Sequence, residues 1–201
     1  MAKIKLTKSE LKAQRQELER YQRFLPTLQL KKQQLQSETK KARDRLAEVA
    51  EKERALFNEL EDWIGLFAED AGLEDLLQVR SLTIPERNVV GLRIPSLETV
   101  EFEEARIDLL TTPPWLDEGI DRLRQAVRLR LDKQVLEHEL ELLQAELRRT
   151  TQRVNLFEKV KIPQCRENIR IIQIALGDLQ TMAVARAKLA KAKLQERTSS
   201  V

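Results

Sequence analysis

Two groups of basic side chains, one near each end of the chain, are the residues whose type and spacing favour binding chemistry. Their charge suits a nucleic acid, a lipid headgroup or an acidic protein surface. A solvated, frayed helix end is the competing interpretation. The groups are Lys3, Lys5, Lys8 and Lys12 at the start, and Arg186, Lys188, Lys191 and Lys193 near the end.

Residues for catalysis are few. His138 is the sole histidine and lies off the apolar stripe, so we expect a solvated helix-face residue. Cys165 is the sole cysteine and falls on the stripe, which favours a buried structural thiol. The many carboxylates alternate with Lys and Arg, as ordinary solvated pairs do. With no Walker loop, Gly-rich cradle or metal-spaced His/Cys set, the sequence predicts no enzyme, cofactor or metal site.

Heptad spacing at both ends of the chain indicates the elements that carry these residues. A stripe this narrow is typical of a helix that pairs with one other helix. The N-terminal series is Leu28, Leu35, Ala42, Val49, Leu56 and Trp63, and the C-terminal series is Leu136, Leu140, Leu143, Leu147, Thr150, Val154 and Phe157.

The composition favours a thin coiled coil and not a globular core, since charged residues make up 34% and aromatic residues only 4%. Each heptad segment covers roughly 70–80 residues, which at about 1.5 Å per residue gives a rod of about 110–120 Å. The first helix is expected to begin at a capping box formed by Thr7 and Glu10. We predict an all-α-dominated fold: a long antiparallel two-helix coiled coil with a small β-hairpin insertion at the turn.

Between the two rods the period of the apolar residues changes to two. The alternating residues predict a hairpin or three short strands, separated by turns at 85–88 and 95–96. An unsupported hairpin is marginal in water, so we expect it to pack on the coil or on a partner. The predicted divisions are an N-terminal helix over 1–77, a connector over 78–112 and a C-terminal helix over 113–201. The alternating residues are Leu82, Ile84, Val90, Leu92, Ile94, Val100 and Phe102.

Two prolines interrupt the helical segments. The C-terminal stripe also slips once, because Phe157 is followed by Ile162, a step of five instead of four. The later stripe residues are Cys165, Ile169, Ile172, Leu176, Leu179 and Ala183. An inserted residue alters supercoiling locally, and a proline removes one helical hydrogen bond. We therefore predict a shared bend of the coil at Pro26 and Pro163.

The N-terminus is polar and basic, and no stretch approaches the ~18 apolar residues of a membrane span. We therefore expect a cytoplasmic protein without direct membrane insertion. Nucleic acid is not an expected partner, because neither stacking aromatic residues nor a groove-reading helix accompanies the basic ends.

Three segments together resemble one family across essentially the whole chain. Arg153-Val154-Asn155, followed by Glu158 and Ile162-Pro163, resembles a signature of the D subunit of the V-type rotary ATPases and ATP synthases. The segments from Asn88 to Pro95 and from Leu28 to Leu35 are similar to two further stretches of that family, and all three occur in the same order.

The resemblance implies a non-catalytic rotor shaft. Such a shaft couples ATP hydrolysis or synthesis in a hexamer of A and B subunits to proton or sodium translocation through a membrane ring. Its implied partners are the catalytic A and B subunits, the small F subunit of the stalk and a funnel-shaped subunit, at a cytoplasmic site peripheral to the membrane. The two basic groups would then contact the bore of the hexamer. Val90, Leu92 and Ile94 are the expected contacts for the small stalk subunit, and we expect Val90, Leu92 or Ile94 to be exposed in the isolated chain and buried by that partner.

A prefoldin-like chaperone arm or a coiled-coil scaffold is the alternative, since prefoldin also has a coil–hairpin–coil layout. Prefoldin coils are much shorter than the ~75-residue arms expected here. A lone chain, or a one-to-one complex with a small partner, would favour the shaft.

Overall fold

The computed structural model describes residues 4–62, 64–67, 77–103 and 113–199. The helices are α1 (Lys8–Glu61), α2 (Ile64–Phe67), α3 (Leu116–Asn155) and α4 (Ile162–Ser199), and a π-helix over Leu156–Lys161 joins α3 to α4. Four short strands lie between α2 and α3. The predicted fold class is confirmed: long helices at both ends with a small antiparallel hairpin region between them.

Helices α1 and α3 each begin where the sequence contains a start signal. The Glu10 amide donates to Thr7 Oγ1 at 3.3 Å, which confirms this half of the predicted capping box. At the start of α3 the Leu116 amide donates to the Pro113 carbonyl at 3.1 Å. Asp117 then lies in the first turn, at the positive end of the helix. The last part of the predicted N-terminal helix over 1–77, residues 68–76, lies outside the described residues.

The chain divides into two compact units, one formed by residues 31–149 and the other by residues 1–30 and 150–201. In the first unit, ion pairs show the relative direction of α1 and α3: as the residue number on α1 increases, the residue number of its partner on α3 decreases. Lys31 pairs with Glu146, and Glu59 with Arg122, so the two helices are antiparallel. The predicted stripe is buried at Leu35, Ala42, Val49, Leu56, Leu136 and Leu143.

The strands of the first unit form two antiparallel pairs. Strand β1 (Val79–Thr83) pairs with β4 (Thr99–Phe102), and β2 (Glu86–Val89) pairs with β3 (Leu92–Pro95). Residues 86–88, which the sequence predicts as a turn, are in fact part of β2, because their polar side chains hid the alternation. The actual turn is Val90-Gly91, with φ of 54° and 82°. Positive φ at both central residues is the geometry of a two-residue hairpin loop.

In the second unit, α1 up to residue 30 runs antiparallel to the segment from residue 150 onward. Gln14 bonds Asn168 at 3.1 Å, and Tyr21 contacts Phe157 with ring centroids 4.9 Å apart. The buried side chains follow the predicted stripe, including its step of five: Thr150, Val154, Ile162, Cys165 and Ile172. Every described side chain from 177 to 195 is exposed, including Leu179 and Ala183, which the stripe predicted as contacts.

None of the described helices combines the length and the apolar content that a crossing of the membrane requires.

Candidate functional site

The end of α4 carries the C-terminal basic group on a helix whose side chains from 177 to 193 are all exposed. Since Asn168 already lies opposite Gln14, and α1 begins at Lys8, α4 continues past the start of α1. The exposed basic residues there are Arg186, Lys188, Lys191 and Lys193. Lys5, Lys8 and Lys12 of the N-terminal group are exposed too, and Lys3 lies outside the described residues.

Apolar side chains are interspersed with the positive charges of this helix end. Leu179, Met182, Val184 and Leu189 are between 49% and 64% exposed. Exposed apolar residues grouped on one element are typical of a protein-binding surface. The basic, apolar end of α4 from 177 to 193 is therefore the first candidate binding surface, and we term it the helix tip.

The hairpin packs on the coil of its own chain. Val90 and Leu92 pack against a cluster formed by Leu35, Ala42 and Leu143. Val90 and Leu92 are half-buried and Ile94 is fully buried, so of the three residues expected to meet a partner Ile94 is not exposed. The reason is physical: a two-stranded hairpin lacks a core of its own and gains stability by covering the apolar face of the coil.

The exposed apolar residues of the strand region lie instead on and beside β1. Val79, Leu82 and Ile84 are between 39% and 43% exposed. The outer strand pair, rather than the turn of the inner hairpin, therefore offers an apolar surface to a partner. We term these three residues the β1 surface.

A buried carboxylate fastens the inner hairpin to both helices. Glu139 of α3 is 2% exposed, and its Oε1 accepts from Arg45 Nη2 of α1 at 2.9 Å and from Arg87 Nη2 of β2 at 2.6 Å. A carboxylate removed from water needs such charged donors, because desolvation of an unpaired ion is costly. We term these three residues the clamp.

A second buried carboxylate joins the two helices further along the same unit. Glu53 of α1 is 5% exposed, and it accepts from Lys133 Nζ at 2.6 Å and from Arg130 Nη1 at 3.2 Å. The hydrogen bond from Lys133, with help from Arg130, holds the pKa of Glu53 below its ordinary value even though burial opposes this. The interpretation of all carboxylates as solvated pairs is therefore wrong for Glu53 and Glu139.

The two single-copy residues are where the sequence places them. His138 is exposed on α3, with Nδ1 3.8 Å from Glu141. Cys165 is buried, with its Sγ 4.0 Å from a Glu17 carboxylate oxygen. Burial, together with this carboxylate, raises the pKa of the Cys165 thiol, so the thiolate that would react is disfavoured. Neither residue has the surroundings of a catalytic group.

Pro26 and Pro163 both lie in the second unit. Pro26 lies inside α1, which continues through it, and Pro163 is the second residue of α4, directly after the π-helix. The slip of the stripe that the sequence contains thus coincides with a local widening of the helix. The shared bend of the two helices stays a prediction.

This fold defines a class of protein: paired long helices with a small strand region between them, part of which is clamped onto the helices. Residues 10–192 match the family described as the D subunit of ATP synthase. The D subunit of a V-type ATP synthase from Borreliella burgdorferi is 44% identical over 194 residues, which cover 96% of each chain.

A second relative with the same description, from Chlamydia muridarum, is 34% identical over 97% of this chain and 98% of its own. The chain belongs to the family of V-type ATP synthase D subunits. The family model and both relatives cover nearly the whole chain. The comparisons thus favour a subunit of an ATP synthase complex over a chaperone arm.

The clamp predicts a large difference between two neighbouring glutamates of α3. Glu139→Gln removes the charge that two arginines share, and we expect a loss of about 1.5–3 kcal/mol in the free energy of unfolding. Glu141→Gln is the matched control, since the Glu141 side chain is 80% exposed, and should change it by less than about 0.5 kcal/mol. Urea denaturation of the isolated chain measures both. Equal small losses would mean that the clamp does not stabilise the fold.

Glu53 predicts a pH dependence of stability. Because its pKa is below the ordinary 4.5, its stabilising contribution is present above that pH and is lost as the pH falls through the lowered pKa. The free energy of unfolding of the native chain should therefore exceed that of Glu53→Gln by a constant amount above about pH 5.5, and the difference should shrink towards about pH 3. The exposed Glu51→Gln is the control. A difference that stays constant down to pH 3 would contradict the assignment.

Proposed function

We propose that this chain is the non-catalytic central-stalk subunit, the rotor shaft, of a V-type rotary ATPase or ATP synthase. It couples ATP hydrolysis or synthesis in a hexamer of A and B subunits to proton or sodium translocation through a membrane ring. Its other partners are the small F subunit of the stalk and the funnel-shaped subunit that links the shaft to the ring. The complex places it on the cytoplasmic side, peripheral to the membrane.

The helix tip is the observation that supports this proposal most directly. A chain that ended in a fully paired coil would present a polar surface, whereas here exposed apolar residues accompany Arg186, Lys188, Lys191 and Lys193. Such a surface suits the bore of a ring of protein subunits, where acidic or carbonyl groups receive the charges and apolar contacts remove the leucines from water. Lys3, Lys5, Lys8 and Lys12 belong to the same proposed contact.

The asymmetry of this surface explains how a shaft without an active site influences catalysis. The tip presents different side chains on different faces, for example Leu189 and Lys188. As the shaft turns, each catalytic interface meets a different face, and its open and closed states are stabilised to different extents. A difference in contact free energy between two states is what shifts their populations.

The β1 surface is the proposed contact for the small stalk subunit. The sequence indicated Val90, Leu92 and Ile94 for this role, but their packing on the coil leaves little of them to bind. Val79, Leu82 and Ile84 have the same apolar character and are exposed. The clamp then has a function: it fixes on the coil the inner hairpin, which lies between β1 and β4 in the chain, so that a partner bound at the β1 surface turns with the coil.

The tip proposal predicts an assembly defect. Replacing Lys188, Lys191 and Lys193 with Glu reverses three charges at the proposed bore contact, so affinity for the A–B hexamer at low salt should fall about ten-fold or more. The fold should be unaffected, since all three side chains are exposed. Titration of the hexamer with labelled chain measures the affinity.

The matched control reverses three exposed basic residues of α1, Lys40, Arg43 and Arg54. Equal losses in both triple variants would show that only net charge matters. An unchanged affinity of the tip variant would exclude electrostatic docking there.

The β1 surface predicts a separate defect. The double variant Leu82→Ser, Ile84→Ser should weaken binding of the small stalk subunit about ten-fold or more, because two apolar contacts are lost. Arg93→Ser is the control, since the Arg93 side chain is 83% exposed on strand β3 of the inner hairpin. Calorimetric titration of the purified chains compares them. Equal affinities for the double variant and the control would place the contact elsewhere.

A further inference from the structure

The π-helix at Leu156–Lys161 contains one residue more than the packing around it requires. Val154 is buried before it, and Ile162 and Cys165 are buried after it. None of its own six residues is buried, and Leu156 and Val160 are 43% and 49% exposed. The apolar stripe therefore continues on both sides, and the wide turn takes up the extra residue of the five-residue step.

The backbone shows how the extra residue is accommodated. The Ile162 amide donates to the Phe157 carbonyl, five residues earlier, which is the hydrogen bond of a π-turn. Phe157 is held in place by its ring contact with Tyr21. The widened turn thus lies between two fixed points of the stripe, Phe157 and Ile162.

Pro163 lies two residues after the end of the π-helix, and its position determines whether the wide turn can become a regular α-helical turn. A proline in a regular α-helix lacks the amide of one hydrogen bond, and its ring clashes with the carbonyl four residues back. If one residue left the π-helix, Pro163 would sit in the interior of one continuous helix and meet that clash. The proline therefore disfavours the regular form at this position.

We propose that Leu156–Lys161 and Pro163 together form a joint. The π-helix holds one inserted residue, and Pro163 keeps this segment from rearranging into a regular α-helix. With one hydrogen-bond donor missing and the turn widened, the backbone yields to torsion more readily here than in the flanking α-helix. The further role of the joint, as the torsionally soft point of a rotating shaft, rests on the proposed function. The dependence of the π-turn on the proline is independent of that function.

A double-mutant cycle on the full chain tests this dependence. The variants are deletion of Val160, the substitution Pro163→Ala, and both together. In the native background the deletion places Pro163 four residues after Glu158 in a regular helix, so the melting temperature should fall by about 6–12 °C. In the Pro163→Ala background the same deletion gives an unbroken helix with an intact stripe, and the melting temperature should rise by about 2–4 °C.

The reversal of sign is the decisive result. A deletion that raises the melting temperature in both backgrounds would show that the π-turn is a defect unrelated to the proline. A deletion that lowers it in both would show that the stripe itself needs the extra residue. Either outcome overturns the proposal.

Hydrogen exchange on the isolated chain tests the local softness. The amides of residues 158–162 and 164–166 should exchange about ten-fold faster than those of the flanking turns in the native chain, because opening there breaks fewer hydrogen bonds. In the variant with both changes they should slow to the flanking rates. Equal rates in the native chain would overturn the assignment of a soft joint.

The torsional role is tested in the assembled complex. With a bead on the shaft and the motor held in one catalytic state, the distribution of bead angles should be narrower for the variant with both changes than for the native chain. An unchanged width in a complex that assembles would overturn the torsional role. Failure of the native chain itself to assemble as a shaft would count against the proposed function, while the thermal cycle would still decide on the joint.

Discussion

The inner hairpin of β2 and β3 depends on one buried charge. Glu139 is removed from water on α3, and its carboxylate oxygen receives one arginine from α1 and another from β2. A hairpin of two four-residue strands has no core of its own, and apolar contact with a narrow coil fixes its position only loosely. The clamp fixes the orientation of the hairpin, which apolar packing alone does not, since charged hydrogen bonds depend on both distance and angle.

Buried charges also fix the alignment of the two helices in this unit. A stripe of leucines and alanines would tolerate a shift by one heptad, because each turn resembles the next. Glu53 and Glu139 do not tolerate it, since a shifted carboxylate would be buried without its basic partners. The alignment of the two helices is therefore specified by a few buried polar residues beside the stripe, while the apolar residues supply most of the buried surface.

The sequence predicted what depends on local spacing. The stripe, its five-residue step, the burial of Cys165 and the helix start at Thr7 all follow from neighbours along the chain. The contacts of Ile94 and Arg87 did not follow, because they join residues distant in sequence. The spacing of Glu139 does indicate its burial: it lies three residues after Leu136 and four before Leu143, and thus on the buried face.

Rotation of the chain inside an A–B hexamer is the central claim, and single-molecule observation tests it most directly. Arg93→Cys offers an exposed attachment point for a bead, while the native Cys165 is buried and its raised pKa disfavours labelling. The account predicts that the bead turns in one direction while ATP is present and stops when ATP is exhausted. A bead that stays still while the same complexes hydrolyse ATP would contradict it.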